Sequence, residues 1–257
     1  MLEALFEQAA QDAAARETVR SFDELLAEIA NVQRPINIYD RLAKTNRIRL
    51  IAEIKRASPS KGFLAEIPSA ADLAFGYQQS GADAISVLTE QSGFRGSLAD
   101  LEAASKAVTI PTLRKDFISS EYQILEARVA GASFVLLILS YLSKERAAEL
   151  FEFATSLGLG VLFETHTERE IAIAAELGAQ LIGINTRDLT TFKTDLGLFE
   201  TMARLLPEET VAVAESSVKT IDDVRRYRAA GADVVLVGEA LVTGDWQALI
   251  PQIVSVS

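Results

Sequence analysis

The stretch GASFVLLIL, residues 131–139, joins a Gly-Ala pair to an apolar run that contains no charged residue. The same pair precedes an apolar run at 81–82, 178–179 and 231–232, so successive pairs lie 50, 47 and 53 residues apart. The pattern is typical of a glycine that ends a helix in the left-handed conformation, followed by a buried parallel strand. It therefore predicts alternating helices and strands, with two such units in each period of about 50 residues.

Short apolar runs recur throughout the chain after residue 48. They are LIAEI (50–54), AISVL (84–88), PTLR (111–114), FVLLIL (134–139), GVLFE (160–164), LIGIN (181–185), VAVAE (211–215) and VVLVG (234–238). Division of residues 49–257 into eight units leaves roughly 26 residues for each, close to the usual size in a (β/α)8 barrel. Helix N-caps with an acceptor three residues later are predicted at Ser69, Ser97, Ser120, Thr167 and Thr220.

These units predict an α/β fold, a (β/α)8 TIM barrel with an N-terminal helical extension. The alternative is an open doubly wound sheet, but no glycine-rich nucleotide turn follows the first run. Residues 1–48 contain no strand signal, and Pro35 interrupts them. Their apolar stripes comprise Leu2, Leu5, Phe6, Ala9 and Ala13, and then Leu25, Leu26 and Ile29. We expect one barrel domain over 1–257, with the extension at 1–48 and the barrel at 49–257.

The composition excludes several classes of function. The 257 residues include 25 Lys and Arg and 36 Asp and Glu, and the net charge of -11 disfavours binding to nucleic acid or anionic membranes. The absence of cysteine excludes zinc–thiolate sites, and a single histidine, His166, gives a metal site little support. The N-terminus is too acidic for a signal peptide, and FVLLIL is too short to span a bilayer. We expect a cytoplasmic monomer without metal, membrane or nucleic-acid partners.

Polar residues stand at the ends of nearly all the predicted strands. They are Glu53, Lys55, Glu90, Lys115, Glu164, Asn185 and Glu215. In a barrel these ends surround one mouth, where the chemistry takes place, and converging charges there shift one another's protonation. Glu53 and Lys55 are two residues apart and should project side by side. Each residue could instead be the first solvated position of its loop, and we expect His166 to precede a helix rather than to act as a base.

Two further segments fit a phosphate site. ESSV (215–218) and GEAL (238–241) follow the seventh and eighth predicted strands. In barrels these loops commonly bind phosphate through backbone amides and a short helix N-terminus. The alternative for both segments is an ordinary helix start.

Several motifs, taken together, resemble the indole-3-glycerol phosphate synthase family of tryptophan biosynthesis. They are IAEIKRASPSKG, ISVLTEQSGFRGS, LRKDFI, LFETHT, IGINTRDL, VAES and VLVGEAL, in this order. The resemblance covers nearly the whole chain, including the N-terminal extension. It implies a carboxy-lyase that converts 1-(2-carboxyphenylamino)-1-deoxyribulose 5-phosphate, a small anionic substrate, to indole-3-glycerol phosphate, with loss of carbon dioxide and water and without a cofactor.

The resemblance also implies roles for the residues at the mouth. Lys115 matches the general acid, and Glu164 matches the general base or the group that stabilises the iminium ion. Lys55 matches the lysine that binds the anionic groups, and Glu53 its partner. Asn185 and Glu215 match residues that hold the hydroxyl groups of the substrate.

The remaining matched residues are expected to bind substrate. The aromatic ring would lie against an apolar wall formed by Pro59, Phe94, Phe117 and Leu136. Arg187 would lie near the ring, and Ser58 would also contact the substrate. The phosphate would lie near Ser216, Ser217, Gly238 and Glu239. Ser217 departs from the family, which usually has glycine there, and would be strained if the position needs a positive φ. Glu239 is an unusual neighbour for an anion unless its side chain turns away.

Two other functions compete with this interpretation. A related barrel, such as phosphoribosylanthranilate isomerase, should carry Cys or Asp in place of the two lysines. A barrel that only binds an anion should lack an acid or a base, and this sequence lacks neither.

Overall fold

Eight parallel strands form a closed barrel in the computed structural model, which describes residues 2–187 and 195–257. In chain order the strands are β1 Arg49–Ile54, β2 Ala84–Leu88, β3 Thr112–Lys115, β4 Phe134–Ile138, β5 Gly160–Thr165, β6 Leu181–Asn185, β7 Val211–Glu215 and β8 Val234–Val237. Each strand pairs with its neighbours in the chain, and β1 closes the barrel by pairing with β8. The predicted (β/α)8 fold is confirmed, and every predicted strand matches within one residue at each end.

Helices follow the strands in regular alternation. Within the described residues they are α1 Leu2–Val19, α2 Phe22–Glu28, α3 Ile38–Arg41, α4 Ala70–Gln79, α5 Leu98–Ala107, α6 Glu121–Val129, α7 Lys144–Ser156, α8 Glu168–Glu176, α9 Leu196–Met202, α10 Ile221–Ala229, α11 Glu239–Thr243 and α12 Trp246–Val254. Short 3-10 helices follow α2 and α9, at Ile29–Asn31 and Ala203–Leu205. After β1, the two-residue strands Ala57–Ser58 and Gly62–Phe63 form a hairpin.

The predicted signals at the helix ends are confirmed. All five predicted N-caps occupy the N-cap position, at the starts of α4, α5, α6, α8 and α10. The glycines of the four Gly-Ala pairs have φ values from 75° to 110°. That left-handed conformation lets the chain leave each helix and enter the next strand without a steric penalty.

Apolar side chains fill the interior of the barrel and leave its polar residues at one end. Leu113, Leu136 and Leu162 belong to this interior cluster and are 1% exposed or less. At the N-terminal end of the strands, α3 covers the barrel with Ile38, which is fully buried in the same cluster. A Cβ on Gly160 would lie 2.2 Å from this isoleucine, so glycine is needed for the close approach.

The helix α1 runs along α6 and reaches the opposite, C-terminal end of the barrel. Its buried Phe6 stacks on Tyr141 with ring centroids 3.7 Å apart, and it meets Phe117 edge-on at 5.1 Å. Arg16 forms two hydrogen bonds to Glu126 of α6. The division of the chain into an extension at 1–48 and a barrel at 49–257 stays a prediction.

The second predicted apolar stripe is only partly right. Leu25 is buried against α6, but Leu26 is 46% exposed, so its assignment to the stripe is wrong. The helix α2 is only seven residues long and turns one narrow face to the barrel, which leaves no room for both leucines. None of the described helices combines the length and apolar character needed to cross a membrane.

Candidate active site

A cavity of about 330 Å³ opens at the C-terminal ends of the barrel strands. All sixteen residues that the resemblance matched to catalytic or substrate-binding roles line it, although they come from segments as distant as Glu53 and Glu239. A parallel barrel brings these strand ends together because every strand points the same way. Their convergence on one cavity is therefore a property of the fold, and the individual roles stay predictions.

Glu53 and Lys55 form an ion pair at the edge of this cavity, as their spacing predicted. Lys55 Nζ lies 2.8 Å from Glu53 Oε1, and the two side chains are 15% and 5% exposed. Such a pair is mutually dependent, because removal of one partner leaves an uncompensated charge away from water. Gly238 makes room for the carboxylate, since a Cβ there would lie 2.2 Å from Glu53 Oε1.

Lys115 is the centre of a second group of charges. Its Nζ lies 3.0 Å from Glu164 Oε2, and it also donates a hydrogen bond to Glu215. The other oxygen of Glu164 accepts a hydrogen bond of 3.0 Å from Asn185 Nδ2, and Asn185 Oδ1 accepts one of 2.8 Å from Ser216 Oγ. A continuous network therefore links the ends of β3, β5, β6 and β7.

These contacts separate the protonation states of the two glutamates. Burial opposes ionisation of Glu164, but the nearby Lys115 and His166 outweigh it and lower its pKa. Burial raises the pKa of Glu215 to about 7, and the neighbouring charge of Glu164 adds to the increase. Burial also acts to lower the pKa of Lys115, and the surrounding carboxylates outweigh it and hold the pKa above its ordinary value. One ammonium group fully stabilises only one of the two carboxylates, so Glu215 is the one that takes up a proton near neutral pH.

The residues of the predicted apolar wall line the same cavity as Lys115. Phe94 and Phe117 line the cavity with their ring centroids 6.1 Å apart, and Pro59 and Leu136 lie with them. Glu90, a candidate from its strand-end position, does not line the cavity. Its carboxylate accepts hydrogen bonds of 2.8 and 2.9 Å from the amides of Gly93 and Phe94, so it shapes the loop instead.

The segment after β7 has an unusual backbone. Ser216 and Ser217 have φ values of 69° and 67°, the left-handed conformation that disfavours residues other than glycine. Ser217 Oγ lies 2.7 Å from Thr186 Oγ1, which in turn lies 3.0 Å from the hydroxyl of Tyr227. The position of Ser217 therefore does need a positive φ, and the hydrogen bond between its side chain and Thr186 helps to hold it there.

Glu239 begins the short helix α11 beside Gly238. Its carboxylate forms an ion pair with Lys61 of the hairpin loop. The negative charge, unfavourable by itself at an anion site, is therefore matched by a lysine. Arg187 also reaches this hairpin loop, with Nη1 3.2 Å from Ser60 Oγ. Asp188 and Leu189, which end the motif IGINTRDL, lie outside the described residues.

Ten residues that line the cavity were missed by the sequence analysis, and three of them, Leu5, Lys61 and Asp116, contribute to its apolar surface or its charge. Leu5 lines it from α1, and the apolar stripe that predicted burial of Leu5 did not indicate what it would face. Lys61 carries no local signal beyond its position after a strand. Asp116 follows Lys115 and lines the cavity. It forms an ion pair with the buried Arg114, whose Nη2 lies 3.0 Å from Asp116 Oδ2. The Arg-Lys-Asp order could have indicated this pair, because residues 114 and 116 share one face of the strand.

Similarity to solved structures extends to proteins of quite different sequence. The chain superposes on thiamine phosphate pyrophosphorylase from Pyrococcus furiosus with a TM-score of 0.61 at 13% identity, covering 84% of this chain and 96% of that one. It superposes on an N-acetylmannosamine-6-phosphate 2-epimerase from Clostridium perfringens with a TM-score of 0.63 at 15% identity, covering 84% and 95%. At such low identity these similarities support the barrel fold alone.

Similarity at the level of sequence is much more specific. Residues 2–253 match the family model of indole-3-glycerol phosphate synthase. The indole-3-glycerol phosphate synthase of Leifsonia xyli is 52% identical over 237 residues, which cover 92% of this chain and 91% of that protein. The protein of the same name from Mycolicibacterium smegmatis is 46% identical, covering 99% and 94%. The chain therefore belongs to the indole-3-glycerol phosphate synthase family.

Proposed function

We propose that the protein closes the five-membered ring of indole-3-glycerol phosphate. The substrate is 1-(2-carboxyphenylamino)-1-deoxyribulose 5-phosphate, and carbon dioxide and water are released in this step of tryptophan biosynthesis. The observation that carries the proposal is the position of Lys115, which contacts both Glu164 and Glu215 beside an apolar wall. A positive proton donor next to a carboxylate base meets the needs of both steps of the reaction.

The first step forms a carbon–carbon bond. The aromatic ring lies against Phe94, Phe117 and Leu136, and its carboxylate-bearing carbon attacks the ketone carbon of the sugar chain. Lys115 donates a proton to the ketone oxygen, which becomes a hydroxyl group. Glu164 stabilises the positive charge that develops on the nitrogen attached to the aromatic ring. The carboxylate then leaves as carbon dioxide, and the electron pair of the broken carbon–carbon bond restores the aromatic ring.

The second step is a dehydration. Glu164 accepts a proton from the neighbouring methylene carbon, and the new hydroxyl group leaves as water after it is protonated by the Lys115 ammonium group. Because the pKa of Glu215 is about 7, this carboxyl can release and regain a proton at neutral pH. It contacts Lys115 directly and is therefore suited to return the proton that the lysine has donated.

The anionic groups of the substrate bind on the other side of the mouth. Lys55 binds the phosphate, with the amides near Ser217 and Gly238, while Arg187 lies near the carboxylate of the aromatic ring. The ion pair between Glu53 and Lys55 supports this role, because it holds the lysine at the cavity edge before substrate arrives. The left-handed backbone at Ser216 and Ser217 supports it as well, since consecutive amides in such turns form concave anion sites.

The activity is tested by adding the carboxyphenylamino substrate to the purified protein and following indole fluorescence. A rise in fluorescence with release of one carbon dioxide for each product molecule is expected. Absence of the indole product, with substrate still consumed or merely bound, would overturn the proposal and favour an isomerase or a binding protein.

We also propose that the protein acts as a cytoplasmic monomer on this small anionic substrate, without nucleic acid. The described residues supply the acid, the base and the anion contacts from one chain, which supports action as a single copy. The net charge of -11 disfavours binding to polyanions. Light scattering that reports a mass of one chain, unchanged by added DNA, is the expected result.

A further inference from the structure

The only histidine of the sequence lies beside the proposed base. His166 stands in the turn between β5 and α8, directly before the N-cap Thr167, as predicted. Its side chain is 12% exposed, and Nε2 lies 3.5 Å from Glu164 Oε1. On the other edge of the ring, Nδ1 lies 3.7 Å from Glu170 Oε2. Each ring nitrogen therefore faces a carboxylate.

This geometry favours the charged form of the ring. A neutral imidazole has one N–H group and one nitrogen lone pair, and the lone pair would face a carboxylate on one side or the other. Only the imidazolium ion directs an N–H group toward both Glu164 and Glu170. Both nitrogens are buried and form no hydrogen bond with any described residue, so the ring acts on the two carboxylates through its charge.

The charges around the ring lead to the same conclusion. Among the described residues it faces Glu164 from β5, Glu170 from α8 and Glu215 from β7, while Lys115 of β3 lies beyond the first of these. Burial lowers the pKa of His166, and the three carboxylates outweigh it and raise the pKa above its ordinary value.

We propose that His166 is a positioning residue whose imidazolium ion, held between Glu164 and Glu170, keeps the Glu164 carboxylate ionised and oriented for catalysis. The role rests on the proposed function, because it acts through Glu164. Asn185 and His166 face one oxygen of that carboxylate and Lys115 binds the other, so three groups fix its plane. His166 does not line the cavity, and its loss should therefore change turnover more than substrate binding.

The first test uses the single histidine as its own probe. Proton–nitrogen NMR of the imidazole against pH is expected to give a pKa above about 6.5, the ordinary value for histidine. In Glu170→Gln this pKa should fall by about one unit, because one of the two carboxylates is lost. The backbone amide of His166 donates a hydrogen bond of 2.6 Å to Glu170 Oε2. The side-chain oxygen of glutamine can still accept this bond, so the variant removes the charge and keeps the local structure. Glu168→Gln is the matched control on the same helix turn, since Glu168 is exposed and should leave the titration unchanged.

The second test compares a neutral and a charged replacement. His166→Gln is expected to lower kcat about tenfold at neutral pH, because the Glu164 carboxylate loses one of the three groups that fix its plane, with KM within about twofold. His166→Lys restores the positive charge and should regain most of the lost turnover. Circular dichroism of each variant checks that the barrel is intact.

Several results would overturn the role. A histidine that titrates at or below its ordinary pKa, equally in the parent protein and in Glu170→Gln, contradicts the charge placement even if the His166 variants fail to fold. Unchanged kcat in a folded His166→Gln overturns the positioning role alone. A parent protein that forms no indole product overturns the proposed function and this role together, which distinguishes the two failures.

Discussion

The ammonium group of Lys115 lies 3.0 Å from a carboxylate oxygen of Glu164, although 49 positions separate the two residues in the chain. Both side chains are mostly buried, at 14% and 4% exposed. A lysine held this way stays charged at neutral pH, and the carboxylate beside it stays available as a base. The predictions below follow from this pair and from the charges around it.

Replacement of Lys115 by alanine should remove the proton donor of both steps. We expect Lys115→Ala to lower kcat by at least about 100-fold, which is typical for loss of a general acid. The circular dichroism spectrum should remain that of a barrel, because the apolar interior does not include this side chain. Lys144→Ala is the control, since Lys144 forms an exposed ion pair with Glu176 on the outer surface. Normal turnover by a folded Lys115→Ala would show that the acid has been wrongly assigned.

Replacement of Lys55 by alanine should weaken binding of the anionic substrate. We expect KM to rise about tenfold, because a charge-assisted contact worth roughly 1.5 kcal/mol or more is lost. Turnover should also fall, since Glu53 loses the partner that lies 2.8 Å away. Inorganic phosphate, used as an inhibitor, should bind more weakly to this variant than to Lys106→Ala, a change of an exposed lysine. A KM that does not change would contradict the anion-binding role.

The backbone at Ser217 leads to a stability prediction with two variants. Both Ser217→Gly and Ser217→Ala lose the hydrogen bond to Thr186, but only glycine accepts a φ of 67° without strain. The glycine variant should therefore be the more stable of the two by about 1 kcal/mol in free energy of unfolding. Urea denaturation of both variants measures the difference. An alanine variant as stable as the glycine variant would mean that the left-handed conformation is not strained at this position.

Glu215 leads to a prediction about pH. Its pKa is about 7 in the folded protein and about 4.5 for an ordinary glutamate, so the folded state favours the protonated form. The stability that this group contributes is therefore complete below about pH 4.5 and is lost as the pH rises to about 7. Glu215→Gln cannot ionise and should lack this loss.

The measurement is the free energy of unfolding in urea at several pH values between about 5 and 8 for both proteins. Relative to Glu215→Gln, the parent protein should lose stability as the pH rises through this range. The same comparison in the His166→Gln background removes the neighbouring histidine, which the charge of Glu215 also affects. A difference that stays constant across the whole range would contradict the raised pKa.

The alternation of strands and helices was determined by the sequence alone. Apolar runs, N-caps such as Ser120 and helix-ending glycines such as Gly131 act through residues close in the chain, and their geometry follows from local sterics and hydrogen bonding. The pairing of Glu53 with Lys55 belongs to the same class, because residues two apart in a strand always share a face. The motifs also identified sixteen of the residues that line the cavity.

The charge state of the cavity was decided only by the tertiary structure. Glu164 and Glu215 both end apolar strands and look alike in sequence, yet their pKa values shift in opposite directions. Burial acts to raise the pKa of Glu164, but Lys115, His166 and Asn185 outweigh it and lower the value. Burial and the charge of Glu164 raise the pKa of Glu215. The burial of Leu25 but not Leu26, and the pairing of Glu239 with Lys61, also depend on surfaces brought together from distant segments. Desolvation and Coulomb interactions act across space, so they become defined only when the barrel has closed and every charge has its neighbours.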